Sequence, residues 1–352
     1  MHSRDLIEQY KSYVQDWRRY FHKHPELSNE EFETTKTLAK ELGSMGVEVH
    51  VDTERGIGLI GIIHGAKPGK AIALRADIDA LPVHEHNTVD YKSEVEGKMH
   101  ACGHDGHMAI LLGAAKMLMS MKDRIEGDVY LAFQPAEETG AGAPDFIKFG
   151  DWYDKVDAIF GGHVWIDLPA GLVSVEEGPR MAASSQITIN VKGKQGHGAQ
   201  PHQAIDAIVV ASAIVMNLQT VVSRNVSALD SVVVTIGNIH SGSEWNVIPG
   251  EASLGGTVRF FDPNQEQYII DTIRRIVEHT AEAYGATATL EYVKKVPPTI
   301  NDPESSELAE RVVIDTLGKD KLSKMRKVMP GEDFAWYLRD KPGCFAFIGI
   351  QN

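Results

Sequence analysis

Cysteine is nearly absent: Cys102 and Cys344 are the only two in 352 residues. That excludes a disulfide framework, fits a reducing cytoplasm and leaves Cys102 free for other work. Positive charge is also in short supply. Thirty-five Lys and Arg face 49 Asp and Glu, a formal charge of -14, and no basic cluster could track a phosphate backbone, which argues against nucleic acid as a partner. The start, "MHSRDLIEQYKSYVQDWRRY", is charged and amphipathic and lacks the apolar stretch of a signal peptide. Apolar runs such as "AIVVASAIVM" at 207–216 fall short of the ~20 residues of a membrane span, so no membrane partner is expected. No repeat or low-complexity tract appears. What is there is a 43% hydrophobic chain, long enough for two domains or one large core with an insertion.

Leu6, Tyr10, Val14, Trp17 and Phe21 recur every three or four residues, which predicts an amphipathic helix that Pro25 stops. Ser28 followed by Glu31 has the capping-box pattern and predicts a second helix at once, ended by Gly43 or Gly46. Short β-rich runs follow, "VEVHVD", "GIGLIGIIHG" and "KAIALRAD", then a long helix from about Asp105 to Met121 and the strands "DVYLAFQP" and "VDAIFGGHV". Alternating strands and helices predict an α/β sheet with its site beyond the strand ends. From residue 181 the order becomes β-α-β-β-α-β, the ferredoxin-like unit, and after Pro297 and Pro298 the chain returns to helix ("SSELAERVVIDTLG", "EDFAWYLRD") and to the strand "CFAFIGI". The expected organisation is a first domain of residues 1–180 and 295–352, interrupted by a second of residues 181–294.

The nonapeptide "HACGHDGHM" at 100–108 carries the densest chemistry. Cys102 and His104 are two positions apart, so on an extended segment both reach one ion. The loop also precedes a helix, whose N-terminal amides favour anionic groups. In "QPAEETG", Glu137 and Glu138 follow a strand directly; adjacent side chains diverge, so one can ligate while the other faces substrate. In "FGGHV", His163 follows an apolar strand and two glycines that admit close backbone approach. One thiolate, two imidazoles and a carboxylate favour zinc, while carboxylates admit manganese. A metal with an open position acidifies water and polarises a carbonyl, and the spare Glu would take the proton, so the set predicts hydrolysis of an amide or ester.

Eight motifs in order, "FHKHPELS", "LRADIDALP", "HACGHDGHM", "FQPAEE", "GGHV", "GKQGHGAQPH", "NVIPGEASLGGTVRFFD" and "GEDFAWY", cover nearly the whole chain. They closely resemble the amidohydrolase branch of the co-catalytic metallo-aminoacylase and carboxypeptidase family, which includes hippurate hydrolase, plant indole-acetyl-amino-acid hydrolases and bacterial N-acetyl-amino-acid deacetylases. The resemblance implies two divalent ions, zinc or manganese, held by Cys102, His104, Glu138 and His163, with the thiolate bridging and Glu137 as general base. It implies a catalytic domain with a mixed sheet flanked by helices, interrupted by a lid that also forms a homodimer. It places His197 on the oxyanion, Asn246 and Arg259 on the substrate's carboxylate and scissile region, and Asp79 behind a ligand. Asp77 stands where other branches carry a ligand histidine. Met99, His100 and His107 are read as packing or supporting residues.

The expected activity is cleavage of N-acyl-L-amino acids. Family members carry one further ligand, a histidine after the strand matching "CFAFIGI", whereas no histidine follows His279 in these 352 residues. That implies one ion, or none, held in this chain. It opens a second reading, an impaired or non-catalytic N-acyl-amino-acid-binding form. A third is a thiol hydrolase with Cys102 as nucleophile and His104 as base.

Overall fold

The computed structural model describes residues 3–351. The chain divides into two compact units. One comprises Met1–Arg180, Thr299–Arg326 and Glu332–Asn352; the other comprises Met181–Pro298 and Lys327–Gly331.

In the first unit the helices α1 (Ser3–Lys23) and α2 (Phe32–Ser44) precede the strands β1 (Glu48–Val51), β2 (Leu59–His64) and β3 (Ile72–Asp77). Then come α3 (His104–Ser120), β4 (Asp128–Gln134), β5 (Ala158–Pro169) and β6 (Val173–Ser174). A C-terminal strand, Gly343–Gln351, completes a seven-stranded sheet of order β1-β2-β4-β3-β5-(C-terminal strand)-β6. β3 runs parallel to both β4 and β5, and the C-terminal strand runs parallel to β5. The β1–β2, β2–β4 and β6 pairings are antiparallel, which makes the sheet mixed.

The apolar periods do what their spacing requires. Phe21 of α1, Leu38 and Leu42 of α2, and Met108, Leu112 and Ala115 of α3 close over Leu59, Ala76, Leu131 and Phe133 of the sheet. Parallel β3, β4 and β5 end their chain direction on one side, so the residues at and after those ends share one edge, where α/β sheets hold ligands.

Two local expectations change. Ser28 and Glu31 make no capping box: α2 starts at Phe32 with Glu31 as N-cap, whose own side chain bonds none of its amides, and the Glu26 carboxylate accepts the amides of Glu33 and Thr34 instead. The Ser28 hydroxyl instead donates to Asp79 and the Glu31 carboxylate accepts from Ala136. "EDFAWYLRD" forms a 3₁₀ run, Asp333–Arg339, rather than an α-helix. Glu332 and Asp333, at its start, are both bonded to Arg75, and the Tyr337 hydroxyl donates to Gln134, tethers that hold a short run to a tight pitch.

The second unit is a four-stranded antiparallel sheet with the connectivity β-α-β-β-α-β: β7 (Ser184–Lys192), α4 (Ala207–Thr220), β8 (Val233–Ser241), β9 (Glu251–Arg259), α5 (Glu266–Ala283) and β10 (Thr287–Val296). Its spatial order is β8-β9-β7-β10, the ferredoxin-like arrangement. Asp206 caps α4 by accepting from the amides of Ile208 and Val209. Val210, Ile214 and Leu218 of α4 and Ile269, Ile273 and Val277 of α5 bury against Ile187, Ile189, Leu254 and Val258. A wide turn, Val221–Asn225, continues α4. The helical segment Ala207–Asn225 therefore reaches 19 residues and is apolar and long enough to cross a membrane, which the run at 207–216 alone was not. Its inner face is the core of this unit.

Candidate metal centre

The loop from Cys102 to His104 needs its glycine. Gly103 sits at φ +90°, and a Cβ there would stand 2.4 Å from Val164 Cγ2, so both conformation and space reserve the position for glycine. α3 begins at His104 and fixes that side chain at the helix start. At β5, a Cβ on Gly161 would meet the Phe334 ring at 2.7 Å, so the glycine lets the strand lie close under the 3₁₀ run.

Around these positions the predicted ligands form two overlapping groups that share His104. Cys102 Sγ lies 3.3 Å from His163 Nε2, and His104 Nε2 lies 3.8 Å from Glu138 Oε1. Cys102, His104 and His163 each present an atom within 4.8 Å of the others, as do His104, Glu137 and Glu138. Bonds of about 2.0–2.3 Å to one tetrahedral ion set ligands roughly 3.3–3.6 Å apart, close to these separations.

The outer nitrogens are committed elsewhere. His104 Nδ1 faces the Asp79 carbonyl at 2.9 Å and its carboxylate at 3.2 Å. His163 Nδ1 lies 2.5 Å from the Val164 carbonyl. With each Nδ1–H so donated, Nε2 is left as a lone pair, and His104 Nε2 is buried without a hydrogen-bond partner. That is how a ligand imidazole is ordinarily presented. A thiolate, two imidazoles and a carboxylate therefore fit a divalent ion of the zinc type.

The electrostatics divide the groups. Burial, then His107, pushes His163 down to about 3, so it stands as the neutral, ligating form. Burial lowers His104, but Asp77 and the bond to Asp79 outweigh it and hold the ring well above its ordinary value, so a cation binding at Nε2 would displace a proton there. Burial, followed by the neighbouring carboxylates of Glu332 and Asp333, holds Glu137 well above the usual carboxylate range. Burial also raises Glu138 and the Cys102 thiol. These acids are costly to ionise alone and become favourable beside a bound cation, whose charge is the largest in such a site.

Asp79 does more than orient His104. Its Oδ2 accepts from the Glu138 amide at 3.0 Å and from Ser28 at 2.7 Å. His107 packs against both ligand rings, with centroids 5.5 Å from His104 and 4.7 Å from His163. Its Nδ1 faces Asp77 at 2.6 Å, and its Nε2 accepts from the Val164 amide at 3.0 Å. His100 is buried with neither ring nitrogen bonded.

The motif reading passed over the charge network behind the centre. Arg75, fully buried, donates from Nε to Gln134, from one terminal nitrogen to Asp77 at 2.6 Å, and from the other to Glu332 at 3.0 Å and Asp333 at 2.8 Å. The Asp333 amide donates to Glu137 Oε1 at 3.2 Å. An Arg two positions before an Asp in a strand of apolar residues was the available signal, because a buried guanidinium demands acid partners.

The other three predicted residues lie in the second unit. His197 belongs to a two-residue strand, Gly196–His197, paired with Val247–Ile248. The Gly198 amide donates to the Asn246 carbonyl at 2.8 Å, so His197 and Asn246 stand together on one exposed ribbon. Arg259 does not join them. It ends β9, eight steps from Glu251 near the ribbon, which at strand rise is about 27 Å, and it donates to the Met329 carbonyl.

Residues 73–352 match the model of peptidase family M20/M25/M40. The chain belongs to that family. Thermostable carboxypeptidase 1 of Saccharolobus solfataricus is 40% identical, over 99% of this chain and 90% of that one. The N-acetyl-L-cysteine deacetylase of Bacillus subtilis is 42% identical, over 95% of this chain and 80% of its own length. Among solved structures, a dinuclear metal-binding M20 peptidase of Bacillus subtilis superposes with a TM-score of 0.87 at 36% identity, covering 97% of this chain and 89% of that one. Membership of this M20 family agrees with the mixed α/β sheet and the second, smaller unit described above.

Proposed function

We propose that this chain is a metal-dependent amidohydrolase that splits N-acyl-L-amino acids into a carboxylate and a free amino acid. The observation that carries the reading is a pair of clusters sharing His104, one with Cys102 and His163 and the other with Glu137 and Glu138. Relatives near 40% identity that are named for deacetylation and amide hydrolysis support the substrate class.

In this reading Cys102, His104, Glu138 and His163 would hold divalent metal, zinc or manganese. A bound ion of this kind polarises the scissile carbonyl and lowers the pKa of its water toward neutrality. Glu137 takes the proton from the attacking water and returns it to the amide nitrogen as the C–N bond breaks. His197 donates to the developing oxyanion, worth roughly 3–4 kcal/mol for a donor so placed. Arg259 offers a bidentate fork to a carboxylate, and Asn246 a further polar contact.

Because His197 with Asn246 and Arg259 occupy opposite ends of one unit, we read the working form as a homodimer in which the smaller unit serves as lid and interface. One copy then supplies Arg259 and its partner supplies His197. Two free thiols suit a cytoplasmic setting.

The test is kinetic. With acetyl- and benzoyl-amino acids, chelation should abolish release of the amino acid, and zinc or manganese should restore it. Glu137→Gln should lower kcat by about 10²–10⁴-fold with metal content unchanged. Full activity in that variant removes Glu137 from the reaction. Hydrolysis that survives chelation but not iodoacetamide makes Cys102 the nucleophile. Tight binding of N-acyl amino acids without turnover, metal added, marks a binding protein.

A further inference from the structure

Glu31 is fully buried and lies 105 positions from the residue it serves. Its Oε1 accepts the backbone N–H of Ala136 at 2.8 Å, while its Oε2 is buried with no partner at all. Ala136 is one of two described non-glycine residues with positive φ, at φ 59° and ψ 36°. This left-handed residue lies directly before Glu137 and sets the direction in which it leaves the end of β4, while the amide of the next residue, Glu138, is held by the Asp79 carboxylate. An alanine gains nothing in that region and must be held there by its surroundings.

The simpler account of Glu31 is that it starts α2. It occupies the N-cap, yet its side chain bonds no amide of its own helix. A Ser or Asp would cap better and would not bury an unsatisfied oxygen, whose desolvation is unfavourable. The side chain is spent on Ala136 instead. The rest of the turn is held in the same way: Thr139 Oγ1 donates to the Ala136 carbonyl at 2.8 Å, Asp79 accepts the Glu138 amide, and the Asp333 amide meets Glu137. Only the amide of Ala136 depends on Glu31.

We infer that Glu31 is a positioning residue for the reaction: by gripping the Ala136 amide it keeps the left-handed turn closed and aims the Glu137 carboxylate. This rests on the reading of Glu137 as the base. Burial pushes the Glu31 carboxyl up to about 7, and either protonation form keeps a lone pair on Oε1 for the amide. The grip therefore needs an acceptor of this length rather than a charge.

That distinction supplies the test, made on the metal-loaded enzyme after wild type and Glu137→Gln have behaved as proposed. Glu31→Gln keeps the acceptor and should hold kcat within about threefold. Glu31→Met keeps the volume without the acceptor. Its kcat should fall about 10- to 100-fold, the cost of a misplaced reacting group, with KM and metal content unchanged. Glu31→Asp, one methylene short of Ala136, should fall likewise, and it is the variant read if the methionine form does not fold. Wild-type kcat in Glu31→Met or Glu31→Asp, equal losses in Gln and Met, or loss of bound metal in either variant overturns the inference. A wild type that does not hydrolyse, or an active Glu137→Gln, sinks the functional reading instead.

Discussion

At the level of single residues, the centre rests on side chains that never reach a ligand atom. His22 is buried between two acids, 2.7 Å from Asp105 and 3.1 Å from Glu85, with Arg18 also 3.0 Å from Asp105. Asp105 directly follows His104, so this cluster anchors the start of α3. The Asp105 bond, against the opposing pull of burial, raises His22 above its ordinary value. Hydrogen bonds from His22 and its other neighbours outweigh burial and lower Asp105 and Glu85. The linkage signs follow. Stability from protonated His22 is fully present below its unfolded pKa, near 6.5, and is lost as pH rises through the higher folded value. Stability from the two acids is present above their unfolded values, near 4, and is lost as pH falls through the lower folded ones. Calorimetric melting of wild type and His22→Gln from pH 5 to 9 should therefore show the widest Tm gap near pH 5–6 and a narrowing gap as pH climbs. A gap that does not change with pH would mean that His22 acts by packing alone.

At the level of elements, the loop–helix junction at Gly103 is tightly constrained. Gly103→Ala would need a left-handed alanine and would drive its Cβ into Val164. The backbone term alone is about 1–2 kcal/mol, before any shift of β5. Denaturant unfolding should place the variant at least that much below wild type, and elemental analysis should show weakened metal retention, because Cys102 and His104 flank the shifted bond. How far such features were legible depended on their range. The alternation of strand and helix and the order of the smaller unit could be read because apolar period is a local signal. The candidate ligands could be proposed from residue type, from the Cys102–His104 spacing and from the strand ends that carry Glu138 and His163. Ser28 and Glu31 misled because a capping box and a pair of long-range tethers look alike until the strand end they serve is placed beside them. The Arg75 network was hidden for the same reason: its acid partners Glu332 and Asp333 lie more than 250 positions away.

At the level of the whole molecule, the separation of His197 and Asn246 from Arg259 gives a test that needs no structure of the assembly. If two copies complete each other's sites, Glu137→Gln and His197→Ala should each be inactive alone. Mixed and reassociated, they should recover about a quarter of wild-type activity, since half the dimers are mixed and each of those carries one intact site. Additive residual activity after mixing would mean that each chain works by itself, and sedimentation would then be expected to show a monomer.

The grip of Arg75 on Asp333 spans 258 positions, with the entire smaller unit made in between. At about 5–20 residues per second, a ribosome needs roughly 13–50 s to go from one to the other. For that interval the nascent strand carries a cation meant for the interior and no anion from the far end to meet it. The half-built sheet must wait, loosely formed or chaperone-bound, until translation is nearly over, so premature termination upstream of Glu332 should yield a chain prone to clump rather than a weaker enzyme.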